Sequence, residues 1–238
     1  MFSDELRDVL DSLTAQACPG WTPPARVAPA ADDADQLRYE GIEATRLRLG
    51  QALAEQPDLT VRLSATVFKA ILLEHSVTDQ LTAPLIAAVG RRVVLEQLTD
   101  AVSEGPCQRR ANAAGAAYWV RCWRHPQASA LLRSAFADGA RSSAEFRSYL
   151  SRHLPPRPGG IDTIEDLWPR FWQACLTAFV ECDDAEVRGR LQTAFPNEAG
   201  CYPPEFAGLL EQARRIAAAD PGRFQRMHGL STGYGYRI

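Results

Sequence analysis

The sequence predicts an all-α chain in which short helices pair and the pairs stack. Three observations lead there. No stretch shows the sustained period-two alternation of a half-buried strand. Apolar residues recur instead at i, i+3, i+4 and i+7 along most of the chain. A short pattern, Asp-x-x-Val-Arg followed by small or apolar residues at helical spacing, also returns at intervals of about 42 residues.

The clearest copy lies between Phe171 and Phe195. Its first helix carries Phe171, Leu176, Phe179 and Val180 at helical spacing, and the chain turns at Cys182-Asp183-Asp184. Asp184 is placed to cap the second helix, because a short carboxylate accepts a bond from the free N–H groups of a first turn. Val187, Leu191 and Ala194 then share one stripe, with Arg188 four residues after Asp184. Asp58, Val61 and Arg62 repeat the pattern, followed by Ala65 and Phe68. Ser143-Ala144-Glu145-Phe146-Arg147 with Leu150 is a looser copy, and Arg109-Arg110 with Ala113 and Ala116 is looser still.

The arginines at 62, 110, 147 and 188 are spaced 48, 37 and 41 residues apart. Two helices per roughly 40–47 residues is the period of HEAT and armadillo units. In these residues the chain resembles the HEAT-repeat superfamily, over about residues 35–196. The resemblance implies a right-handed α–α superhelix of about four helix pairs within one domain, closed by atypical capping helices. It also implies that Val61, Val187 and Leu191 are buried between helices, and that a protein or peptide partner binds the concave surface.

Taken in order, residues 3–17 form an amphipathic helix with Ser3 as its cap and Leu6, Val9, Leu10 and Leu13 on one face. Residues 18–34 are rich in proline and alanine and form a strap, since proline denies them helix and sheet interior; Trp21 anchors it. The first pair spans 36–55 and 59–75, broken at Pro57. The second spans 79–103 and 107–124, its first helix bent or split at Gly90 and its turn at Gly105-Pro106. The third, 127–138 and 143–154, breaks near 140–142 and ends in the breaker 154–160. The fourth, 163–181 and 185–196, enters through a capping box at Asp162-Thr163-Ile164-Glu165 and turns at Asp183. Residues 197–238 hold a capping helix over 203–219 and a glycine-rich tail.

Composition bounds the function. With 46% hydrophobic and 23% charged residues the chain is ordinary for a globular protein. A net charge of −3, with Lys69 its only lysine, disfavours a general nucleic-acid binder or an anionic-membrane binder. The cysteines at 18, 107, 122, 175, 182 and 201 form no C-x-x-C pair and no cysteine–histidine cluster, which points to reduced thiols. The amino terminus lacks the apolar core of a signal peptide, and no apolar run reaches spanning length; a reducing cytoplasm is the expected compartment.

Motifs for nucleotide, metal-protease and serine-hydrolase chemistry are absent, so no cofactor, metal or catalytic residue is assigned and the chain leans away from an enzyme. One coincidence stands out. Trp119-Val120-Arg121-Cys122-Trp123 and Trp168-Pro169-Arg170-Phe171-Trp172 both read W-x-R-x-W. Tryptophans four apart share a helix face, and tryptophan and arginine dominate binding hot spots. Trp119, Arg121, Trp123, Trp168, Arg170 and Trp172 are therefore the candidate binding residues, the competing use of the tryptophans being to fill core. Three functions remain in order. The first is non-enzymatic capture of a protein or peptide. The second, also by resemblance, is a HEAT-like alkylpurine DNA glycosylase or DNA binder using these tryptophans with Arg91, Arg92, Arg109 and Arg110. The third is an accessory or immunity protein that binds a small molecule or toxin.

Overall fold

The run Ala111-Asn112-Ala113-Ala114-Gly115-Ala116-Ala117 is too small in side chain to fill space and too helix-favouring to stay irregular. In the computed structural model all seven residues are buried, so helix α7 (Cys107–Cys122) is enclosed by neighbours rather than buried along one stripe. The structure describes residues 4–22, 34–74, 79–122, 164–196 and 201–229, with scattered positions from 134 to 153, the side chains of 34–39 excepted. These residues are helical and contain no strand. The third helix pair, the Ser3 cap, the capping box at Asp162 and Thr163, and the tail lie wholly or largely outside them.

Around α7 stand α1 (Asp4–Ala17), α2 (Ala34–Glu55), α3 (Pro57–Arg62), α4 (Ser64–Leu73), α5 (Thr82–Val89), α6 (Arg91–Glu104), α8 (Trp168–Glu181), α9 (Ala185–Leu191), α10 (Ala207–Ala219) and α11 (Gln225–Gly229). They neighbour one another in two runs. In one, α2 meets α5, α5 meets α6, α6 meets α8 and α8 meets α10; in the other, α1 meets α4, α4 meets α7 and α7 meets α9. Helices α6 with α7 and α8 with α9 join the runs. The fourth sequence pair thus packs directly on the second, α8 against α6 and α9 against α7, whereas the repeat order placed the third pair between them.

Local chemistry explains most element ends. Gly90 splits α5 from α6 with φ +95°, a left-handed conformation that side chains resist and glycine accepts. Asp184 caps α9 as its position predicts: one carboxylate oxygen accepts from the N–H groups of Glu186 at 2.8 Å and Val187 at 3.1 Å. Val187 and Leu191 are buried. Arg188 sends Nε back to the carbonyl of Phe179 at 2.9 Å, on the last turn of α8. Arg110 does the equivalent, its Nε donating to the Gly105 carbonyl at 2.6 Å just past the end of α6. Two of the aligned arginines therefore do the same work in two helix pairs: each ties its helix to the end of the helix before.

The copy at residues 58–62 departs from this. Pro57 takes the first helical position, where its missing N–H costs nothing, and starts α3 early. Asp58 then lies inside the first turn rather than at the cap, and Gln56 stands at the cap without a side-chain bond. The buried stripe shifts by one residue. Thr60 is buried, its hydroxyl donating to the Leu53 carbonyl at 2.7 Å, while Val61 is 48% exposed and Arg62 faces solvent. The expected burial of Val61 is corrected accordingly. The expected single helix over 59–75 is also two, divided at Leu63.

Two buried polar groups hold the helices in register. Asn112 of α7 donates from Nδ2 to the Leu72 carbonyl of α4 at 2.7 Å. Its Oδ1 accepts from Gln108 at 3.1 Å and from Arg190 of α9 at 2.6 Å. Arg46 of α2 is fully buried and forms ion pairs with Glu43 and with Glu74, which follows α4. Gln80 closes the cluster by donating to Glu43 at 2.6 Å. Gly50, one turn on, is required by the same contact, since a Cβ there would meet the Gln80 carbonyl oxygen at 2.3 Å.

Two outcomes follow for stability. Leu191→Ala costs about 2–5 kcal/mol in urea unfolding, whereas Val61→Ala stays within about 0.5 kcal/mol, as exposed substitutions do. Equal losses at both sites would return Val61 to the core. Arg46→Ala leaves the Glu74 carboxylate buried without its cation and lowers stability by about 3–5 kcal/mol. A neutral result in the same unfolding experiment would remove Arg46 from the interior.

Candidate binding surface

The direction of three helices decides where the two tryptophan–arginine segments lie. Arg91, at the start of α6, donates from Nε to the Val120 carbonyl on the last turn of α7 at 3.1 Å. Arg92 forms two parallel bonds to Asp166, at 3.0 and 2.6 Å, just before α8 begins. At the far end Arg110, near the start of α7, meets Glu181 on the last turn of α8 at 2.7 Å. Helices α6 and α8 therefore run in one direction and α7 in the other. The last turn of α7, with Trp119 and Arg121, and the beginning of α8, with Trp168, Arg170 and Trp172, both lie at the end of this group where α6 starts.

The second segment is packed and exposed at once. Trp168 and Trp172 are both partly buried against the core. Their rings lie 6.1 Å apart and nearly parallel, on the face that residues four apart on a helix share. Trp168 also meets Phe171 edge-on at 5.5 Å, and Trp172 leans on Tyr202 at 6.0 Å. Tyr202 is buried and donates to the Pro196 carbonyl at 3.1 Å; burial pushes its phenol well above the usual range. The outer edges of the two indoles remain open to solvent. Arg170 points away from them, 63% exposed, and pairs with Asp100 of α6 at 2.6 Å.

In the first segment Trp119 is partly buried and its Nε1 is shielded from solvent without a hydrogen-bond partner. Tyr118 packs edge-on against it at 5.1 Å and is 56% exposed. Arg121 is exposed, and Trp123 lies outside the described residues. If the tryptophans fill core, the sequence groups Tyr118 with Phe171 and Phe179 as extensions of it; Phe171 and Phe179 are buried, but Tyr118 is corrected to an exposed position.

The arginines that the sequence groups with these tryptophans for DNA binding are committed within the chain. Arg91 and Arg92 are engaged as above, Arg109 meets Glu5 at 3.2 Å, and Arg110 holds Glu181 and Gly105. All four thus have internal partners. Among the described residues no group of histidine, cysteine and carboxylate side chains is arranged to hold a metal, and no helix is long and apolar enough to cross a membrane. A separate polar cavity of about 480 Å³ includes Asp138, Tyr149, Arg152 and His153, where the Tyr149 hydroxyl donates to Asp138 at 2.8 Å. His153 Nδ1 lies 2.8 Å from the Tyr149 carbonyl, a contact that orients the ring.

Comparison with protein-family models, with curated proteins and with solved structures gives no match to this chain. The surface must therefore be read from its own residues.

The bond from Arg92 holds the Asp166 carboxyl below its ordinary value of 3.8. A depressed carboxylate contributes stability that is complete above that value and is lost as pH falls through the lower, folded one. In a carboxyl-carbon NMR titration Arg92→Gln raises the Asp166 midpoint toward 3.8. An unchanged midpoint would dissolve the link between α6 and the start of α8.

Proposed function

We propose that this chain is a non-enzymatic helical-repeat protein that captures a protein or peptide partner. In this reading its hairpins stack as in HEAT repeats, in a right-handed α–α superhelix with the first and last helices as caps. Three features support that arrangement: the two runs of neighbouring helices, the direct stacking of α8–α9 on α6–α7, and the matched back-bonds of Arg110 and Arg188.

The observation that carries the functional reading is the placement of Trp119 and Arg121 at the same end of α6, α7 and α8 as Trp168, Arg170 and Trp172. Partly buried tryptophans offer a rigid apolar edge at little entropic cost, and the arginines beside them supply directional charge, the combination found at binding hot spots. Tyr118 widens the apolar edge. With Arg91, Arg92, Arg109 and Arg110 bound internally, the exposed Arg121 and the surface pair of Arg170 with Asp100 are the groups that a partner competes for. A peptide carrying acidic and aromatic side chains suits them.

Selection of a displayed peptide library on the full chain tests this. Acidic, aromatic peptides should enrich, and should bind an Arg121→Glu/Arg170→Glu protein at least tenfold more weakly. The melting temperature should hardly move, because exposed ion pairs contribute little. Enriched peptides that bind the double variant equally well would place the partner elsewhere.

A further inference from the structure

The end of α6, α7 and α8 opposite the tryptophans carries a second grouping that the partner-binding reading does not use. Cys107 is the first residue of α7 and is exposed; Cys182 closes the turn after α8 and is buried. They come from different helix pairs, yet the packing brings them to one place. Arg110, one turn beyond Cys107, meets Glu181, the residue before Cys182, at 2.7 Å. Cys107 is, with Asp184, one of the two titratable neighbours close enough to act on the Cys182 thiol. Burial and the neighbouring Cys107 thiol push the Cys182 thiol up to about 11, so it rests protonated.

We infer that Cys107 and Cys182 form a reversible disulfide that locks the α6–α7 hairpin onto the α8–α9 hairpin under peroxide stress. The steps balance with a hydroperoxide as oxidant. The exposed Cys107 sulfur attacks the peroxide oxygen, the O–O bond breaks, and Cys107 becomes a sulfenic acid with release of water or an alcohol. The Cys182 sulfur then attacks the Cys107 sulfur, the S–O bond breaks, and the Cys182 proton leaves with the hydroxyl as water. Two electrons pass from the sulfurs to the peroxide. A dithiol reductant reverses the bond by thiol–disulfide exchange. The order follows from access: the oxidant reaches Cys107, and only the neighbouring thiol reaches Cys182. The other buried thiols are placed differently. Cys175 is enclosed within α8, and Cys18 lies against the Arg48 carbonyl at 3.9 Å.

The test uses the reduced full chain, treated with a few equivalents of hydrogen peroxide, alkylated and mapped by peptide mass spectrometry. Expected are a crosslinked peptide pair containing Cys107 and Cys182, a chain that stays monomeric on a non-reducing gel, and a melting temperature raised by several degrees. Dithiothreitol should undo all three. Cys107→Ser, at an exposed position, should fold normally and lose the crosslink and the thermal shift. Cys182→Ser, where it folds, should leave Cys107 as a sulfenic acid that dimedone traps. Two results in the folded wild type would each overturn the proposal: Cys182 still alkylated after peroxide and unfolding, or Cys107 joined to a second chain.

Discussion

The space around α7 governs the rest of the molecule. A helix enclosed by neighbours admits only small side chains, and the run from Ala111 to Ala117 supplies them. Close approach of backbones leaves no room for water, so any polar atom there must find a protein partner. Asn112 is the one polar residue in the run, and its bonds to α4 and α9 fix how far each helix is rotated about its axis. An unsatisfied amide in that position would cost about 1–3 kcal/mol. The alanines decide how near the helices come, and the asparagine decides which faces meet.

Arg46 plays a comparable role at the other side of the core. A buried ion pair is poor evidence of stability, since desolvating two charges cancels most of what their attraction supplies. Its effect is on placement. The guanidinium joins α2 to Glu74 at the end of α4, and Gln80 adds the chain that leads into α5. The end of α4, α2 and the approach to α5 are thereby held in one arrangement.

Much of this was legible in the sequence where the cause is local. The break at Gly90, the cap at Asp184 and the buried pair Val187 and Leu191 each depend on residues within a turn or two. Pro57 was visible as well, but its consequence was not. The proline moved the helix start from residue 59 to Pro57, and the buried face fell on Thr60 rather than Val61, whose side chains point about 100° apart on a helix. Arg46 carries no local mark that distinguishes it from the exposed arginines around it. That Trp119 and Trp168 lie at the same end depends on Arg91 and Arg92 tying both helices to the start of α6, a fact of packing that no spacing within either segment records.

The direct stacking of the fourth helix pair on the second has a consequence for how the molecule assembles. Its bonds join residues nearly equally far apart along the chain: 70 for Asp100 with Arg170, 71 for Arg110 with Glu181, 74 for Arg92 with Asp166 and 78 for Asn112 with Arg190. The entropy of bringing two chain segments together grows only with the logarithm of their separation. Once one of these contacts closes the loop, the others form at almost no additional entropic cost. The four bonds therefore belong to one docking of the two hairpins rather than to four separate loop closures.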